Sequence, residues 1–94
     1  MGGVRSLTYR VETTKQFEKQ FKKLDKSVQI LVSKWIKKHL IDCENPRVYG
    51  KGLVENLSGY WRYRIGNYRL VVEICDDELI IIAISIGHRS EIYK

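Results

Sequence analysis

Residues 60–70 read YWRYRIGNYRL, and the reading of this stretch decides the fold. Gly66-Asn67 lies between two runs that alternate bulky residues with arginine, the pattern of a two-residue β-hairpin. Such a turn pairs Ile65 with Tyr68, Arg64 with Arg69, Tyr63 with Leu70, and Arg62 with Val71. Strand side chains alternate between faces, so Trp61, Tyr63, Ile65, Tyr68, Leu70, Val72 and Ile74 share one face and Arg62, Arg64 and Arg69 the other. The apolar face has to be covered by the rest of the chain. The arginine face sets like charges directly across a strand pair, which destabilises a solvated hairpin by roughly a few tenths of a kcal/mol. A bound anion reverses that sign, because guanidinium forks match phosphate oxygens and keep their charge at physiological pH.

Working outward, the cover comes from upstream. Leu7, Tyr9 and Val11 alternate with Thr8, Arg10 and Glu12, the period of a half-buried strand. Thr13 and Gln16 then form a capping box that starts a helix. Phe17, Phe21, Leu24 and Val28 recur at helical spacing as an apolar stripe, and Lys15, Lys19, Lys22 and Lys26 form a second, basic one. A turn at Leu24-Asp25-Lys26 leads to a second helix, capped by Asp25, with Val28, Leu31, Val32, Trp35 and Leu40 inward. It ends near Asp42, because Pro46 lacks an amide hydrogen and disfavours helical geometry at Asn45. Residues 46–59 read as a loop. Strands are expected at 60–65, 68–75 and 79–86, followed by the tail GHRSEIYK. The expected architecture is α+β, in the order β-α-α-β-β-β. A helical hairpin packs on one face of a four-stranded, mainly antiparallel sheet, in a single domain spanning 1–94.

Seventeen Lys and Arg against eleven Asp and Glu give a formal net charge of +6, which directs the chain towards polyanions. Hydrophobic residues at 44% are too many for a disordered tail. The longest apolar run, Leu79 to Ile84, is far too short for a membrane span, and the opening residues carry no secretion signal. Cys43 and Cys75 have no metal or redox spacing and read as ordinary thiols in a reducing cytoplasm. No metal or cofactor is expected. Lys34, Lys37 and Lys38 extend the basic helical surface, which suits RNA phosphates.

The last strand, paired with 68–75, brings its C-terminal end beside Arg69. There His88 supplies an imidazole, Arg89 a fourth guanidinium and Tyr93 a phenol, the groups that proton transfer and charge stabilisation need. Three runs, Gly-x-Trp-Arg-x-Arg-Ile from Gly59, Tyr-Arg-Leu-Val from Tyr68 and Gly-His-Arg-Ser-Glu-x-Tyr from Gly87, together resemble the RelE-type toxins of bacterial toxin-antitoxin pairs, within the RelE/ParE superfamily.

The resemblance covers nearly the whole chain. It implies a metal-independent endonuclease that cuts messenger RNA in the ribosomal A site by attack of a 2′-hydroxyl on the adjacent phosphate. It also implies a cognate antitoxin as partner, besides the ribosome and messenger RNA. The family's paired basic residues before the turn fall on Arg62 and Arg64, often lysines in the family. The arginine after the turn falls on Arg69, that after the last strand on Arg89, and the terminal tyrosine on Tyr93. Some relatives use Glu and His as base and acid, which here correspond to Glu55 and His88. The alternatives are a ParE-like toxin that inhibits DNA gyrase by contact, a branch lacking the C-terminal arginine and tyrosine, or an inactive domain that binds RNA or antitoxin.

Overall fold

The computed structural model describes residues 7–52 and 59–88. In chain order the elements are β1 (Arg10–Thr13), α1 (Lys15–Lys22), α2 (Lys26–His39), β2 (Lys51–Gly52), β3 (Tyr60–Ile65), β4 (Tyr68–Cys75) and β5 (Ile80–His88). The hairpin forms in the expected register, with Arg64 opposite Arg69 and Arg62 opposite Val71. Gly66 has φ 60° and Asn67 does not share the positive-φ region, the arrangement of a type II′ turn.

Two helices cover one face of a mixed sheet with strand order β1-β5-β4-β3-β2. Among the described residues, only the β1 and β5 pair is parallel. The sheet therefore has, among the described residues, five strands where four were expected. The added one is β2, which pairs Lys51 with Arg62 and Gly52 with Trp61 inside the stretch read as a loop. Two residues are too few to show a period, so nothing in their composition announces a strand.

The core on the helical side joins Phe17, Val32, Leu40, Tyr63, Ile65, Leu70, Val72, Ile74, Ile81 and Ile86, with Phe21, Leu24, Val28, Trp35 and Tyr68 partly buried against it. Among the described residues, no helix is long and apolar enough to cross a membrane.

Four local expectations are corrected. The first helix starts one residue later, with Thr14 rather than Thr13 as its cap. The Thr14 hydroxyl accepts from the Phe17 amide at 3.1 Å and donates to the Ala83 carbonyl at 3.0 Å, while Thr13 donates to Glu18. The first strand is shifted to Arg10–Thr13 because the Tyr9 backbone is already engaged. Its amide donates to the Cys43 carbonyl and its carbonyl accepts from the Asp42 amide, both at 2.9 Å. Asp42, at φ 63°, lies beyond the end of α2, which stops at His39. Leu31, expected inward, is 47% exposed.

β1 covers β5 only from Ile80 to Ala83. Beyond that point side chains from α1 protect the open strand edge: the Gln20 amide oxygen accepts from the Ile86 amide at 2.9 Å. Opposite this segment the register slips by one residue, so that Val72 faces Ala83 while Val71 faces Ser85 and Ile84 is left over as a β-bulge.

Candidate functional site

Directly paired residues share a face, so strand register places the cations. Arg64 and Arg69 form one row across β3 and β4, and Lys51 and Arg62 form a second row across β2 and β3. Together with Gly50 these four side chains line a cavity of about 330 Å³ on the face away from the helices. Arg64 is exposed and Arg62 and Arg69 are half-buried. Val71, opposite Arg62, is buried without belonging to the helix-side core.

Lysine 51 was not among the residues singled out in the sequence. Its position follows from how the segment before it is tied to β3. The Trp61 indole N–H donates to the Tyr49 carbonyl at 2.6 Å, and the Tyr63 hydroxyl donates to the Pro46 carbonyl at 2.5 Å. Burial pushes the Tyr63 phenol well above its ordinary pKa, so it stays a donor. Trp35, His39 and Tyr49 pack ring against ring, with centroids 4.6 to 6.1 Å apart, and Trp35 reaches Tyr63 at 5.2 Å. Gly50 then turns the chain at φ 80°, where a Cβ would stand 2.2 Å from the Arg62 carbonyl oxygen. Only glycine lets the two backbones approach so closely.

The remaining candidates divide. Glu55, Arg89 and Tyr93 lie outside the described residues. β5 does end beside Arg69, but the residue abreast of it is Gly87. His88 is paired with Tyr68 and so faces the helices, its ring 5.6 Å from the Tyr68 ring. It borders a separate cleft of about 640 Å³ with Gln16, Gln20, Lys23 and Asp25. The expectation that His88 joins the arginines is therefore corrected, because the bulge at Ile84 inverts the alternation that would have brought it there. Lys15, Lys19, Lys22, Lys26, Lys34, Lys37 and Lys38 are all exposed on the helical layer, with the sheet between them and the arginines.

At the opposite end of β4, Asp76 receives the Arg47 fork on both carboxylate oxygens at 3.0 Å and the Tyr9 hydroxyl at 2.6 Å. Arg47 and then Tyr9 hold the Asp76 carboxyl below the usual range, and the same hydrogen bond raises the Tyr9 phenol. Arg47 also lies over the Trp61 ring at 5.8 Å, so the cluster pins the segment that leads to Lys51. Both cysteines are free thiols, and burial pushes both thiol pKa values up, away from reactive thiolates. Among the described residues, no three His, Cys, Asp or Glu gather where they could hold a metal ion.

Comparison with known proteins gives the same family from sequence and from structure. The model of the ParE toxin of the type II toxin-antitoxin system parDE matches residues 11–93. A RelE-like toxin protein of Escherichia coli is 31% identical over 91 residues, covering 94% of this chain and 93% of that protein. A chain of the toxin-antitoxin complex RelBE2 from Mycobacterium tuberculosis superposes with a TM-score of 0.80 at 26% identity, covering 92% of this chain and 97% of that one. The isolated Escherichia coli RelE toxin gives a TM-score of 0.70 at 25% identity over 92% of each chain. The chain thus belongs to the ParE toxin family of type II toxin-antitoxin systems, within the RelE/ParE superfamily.

Proposed function

We propose that this toxin is a ribosome-dependent, metal-independent messenger RNA endonuclease that is neutralised by a cognate antitoxin. The observation that carries the reading is the cavity lined by Arg62, Arg64 and Arg69, three guanidiniums on one face of a rigid sheet. In the reaction, a 2′-hydroxyl attacks the adjacent phosphorus, the bond to the 5′-oxygen breaks, and a 2′,3′-cyclic phosphate and a 5′-hydroxyl are left. Negative charge builds on the phosphate in the transition state, where Arg69 and Arg89 stabilise it. Arg62 and Arg64 hold the backbone bent for in-line attack. Arginine does not give up its proton in proteins, so the 2′ proton and the leaving 5′-oxygen need another group. Proton transfer falls to Tyr93, since His88 faces the other side of the sheet.

The exposed lysines of α1 and α2 would dock on ribosomal RNA, with binding that weakens as salt rises. An acidic antitoxin segment that folds on binding suits the same basic protein. Solved relatives include the toxin-antitoxin complexes RelBE2 and Escherichia coli RelBE, which supports such a partner. A second reading, inhibition of DNA gyrase by contact, is favoured by the ParE identity of the matching family model. The pairing of Arg89 with Tyr93 in the sequence weighs against it.

The test is induction in bacteria of the wild type, Arg69→Ala and Tyr93→Phe, with messenger RNA ends mapped by primer extension. Codon-phased cuts that both substitutions abolish are expected. Growth arrest without cuts, or arrest indifferent to both changes, would overturn the endonuclease reading.

A further inference from the structure

From the four-cation cavity we infer that the site grips two consecutive backbone phosphates of a single RNA strand, one per row of cations, with Lys51 completing the second grip. This rests on the reading of the chain as an RNA-cutting toxin and adds a residue and a substrate register to it.

Arg64 and Arg69 face each other across one strand pair, and Lys51 and Arg62 across the next. Arg62 and Arg64 are two residues apart on β3, so the rows are separated by about 7 Å. That is comparable with the separation of successive phosphates along an extended RNA strand. The four side chains descend as a diagonal track, from Arg69 on β4 through Arg64 and Arg62 on β3 to Lys51 on β2. A phosphate held by one row leaves the next phosphate along the strand within reach of the other.

The geometry around Lys51 fits a binding residue. It follows a glycine at φ 80°, in a segment tied to β3 by the Trp61 and Tyr63 hydrogen bonds, so its Cα position is set before any ligand arrives. Its side chain is exposed at the sheet edge, where a substitution leaves the core untouched. An ammonium on a flexible stem follows a phosphate as a point charge, which suits the row that positions the strand rather than the row at the reacting centre.

The experiment compares a dinucleotide with a trinucleotide, both 2′-O-methylated against cleavage and without terminal phosphates. They carry one and two phosphodiesters. Binding to the wild type, Lys51→Ala and Lys51→Arg is followed by NMR titration at low and moderate salt. For the wild type the second phosphodiester is expected to tighten binding about tenfold, as one charge-assisted contact does. It should also steepen the salt dependence. Lys51→Ala should lose that increment while binding the dinucleotide as before, and Lys51→Arg should keep it. If the second phosphodiester adds nothing to the wild type, if neither oligonucleotide binds, or if Lys51→Ala keeps the increment, the two-phosphate site is overturned. The increment seen in a protein that cuts no messenger RNA would overturn the endonuclease reading alone. Cutting by a wild type that shows no increment would overturn only the inference.

Discussion

Replacing Gly50 with alanine should destabilise the protein more than the same change at Gly66, and the difference measures how tightly the Lys51 segment is held against β3. Both glycines have positive φ, 80° and 60°, so both substitutions force an L-residue into a conformation it disfavours by about 1 to 3 kcal/mol. They differ in what the new methyl group meets. At Gly66 it finds the Leu31 Cδ2 atom at 3.7 Å, an ordinary contact. At Gly50 it would stand 2.2 Å from the Arg62 carbonyl oxygen and 2.9 Å from both Trp61 Nε1 and Tyr63 Cδ1. That oxygen belongs to a strand paired on both sides, so it cannot move without moving β3, and overpacking of this kind adds about 1 to 3 kcal/mol. Gly50→Ala should therefore lose about 2 to 6 kcal/mol, a large share of the roughly 5 to 15 kcal/mol that holds a domain folded. Equilibrium unfolding in urea with linear extrapolation, at unchanged m, is the assay. If the two variants are equally stable within the error of the extrapolation, the close approach of the two backbones is refuted, and with it the preset position of Lys51.

Three further outcomes follow from the same geometry. Arg64→Gln removes one of two facing like charges, so without anions it should be as stable as the wild type or more stable by roughly a few tenths of a kcal/mol; the rise in melting temperature that phosphate gives the wild type should shrink, read by thermal unfolding with and without phosphate. Asp76 has a folded pKa below its unfolded value, so its stabilising effect is complete above the ordinary carboxylate range and fades as pH falls through the folded pKa; Tyr9, with a raised pKa, contributes below the ordinary phenol pKa and fades above it. Asp76→Asn should flatten both limbs of a stability-pH profile by no more than about 1 kcal/mol, since the Asp76 side chain is 54% exposed. Leu40→Ala should lose about 2 to 5 kcal/mol and Leu31→Ala much less in the same unfolding assay, because Leu40 is fully buried and Leu31 is 47% exposed.

The hairpin was legible because turn chemistry and alternation act within a dozen residues: Gly66-Asn67 set the register, and the register set the faces. The helical hairpin was legible for a similar reason, through the spacing of Phe17, Phe21, Leu24 and Val28. What escaped depended on partners distant in the chain. Lys51 becomes a strand residue only because Trp61 and Tyr63 tie the backbone at Tyr49 and Pro46. Gly50 was the one available signal, as a glycine where two backbones touch. Tyr9 left the strand because its backbone found Asp42 and Cys43 at the exit of α2. Leu31 fits the apolar spacing of its helix, yet it lies towards the hairpin turn, where Gly66 offers little to cover it.

The fate of His88 shows how one residue of register can redistribute a site. Ile81 and Ala83 face the core, and strict alternation from them would turn Ser85 and Gly87 inward and Ile86 and His88 outward, towards the arginines. The run LIIIAI is apolar on both parities from Leu79 to Ile84, so nothing within it marks where alternation breaks. It breaks at Ile84, after which Ile86 is buried opposite Leu70 and His88 lies opposite Tyr68. The consequence is chemical. An imidazole that would have offered proton transfer beside Arg69 is exchanged for Gly87, the residue with no side chain. Among the described residues, the cavity of Lys51, Arg62, Arg64 and Arg69 is thereby lined by cations without a histidine, an arrangement suited to phosphate charge, and the proposed reaction draws its proton transfer from a group outside those four.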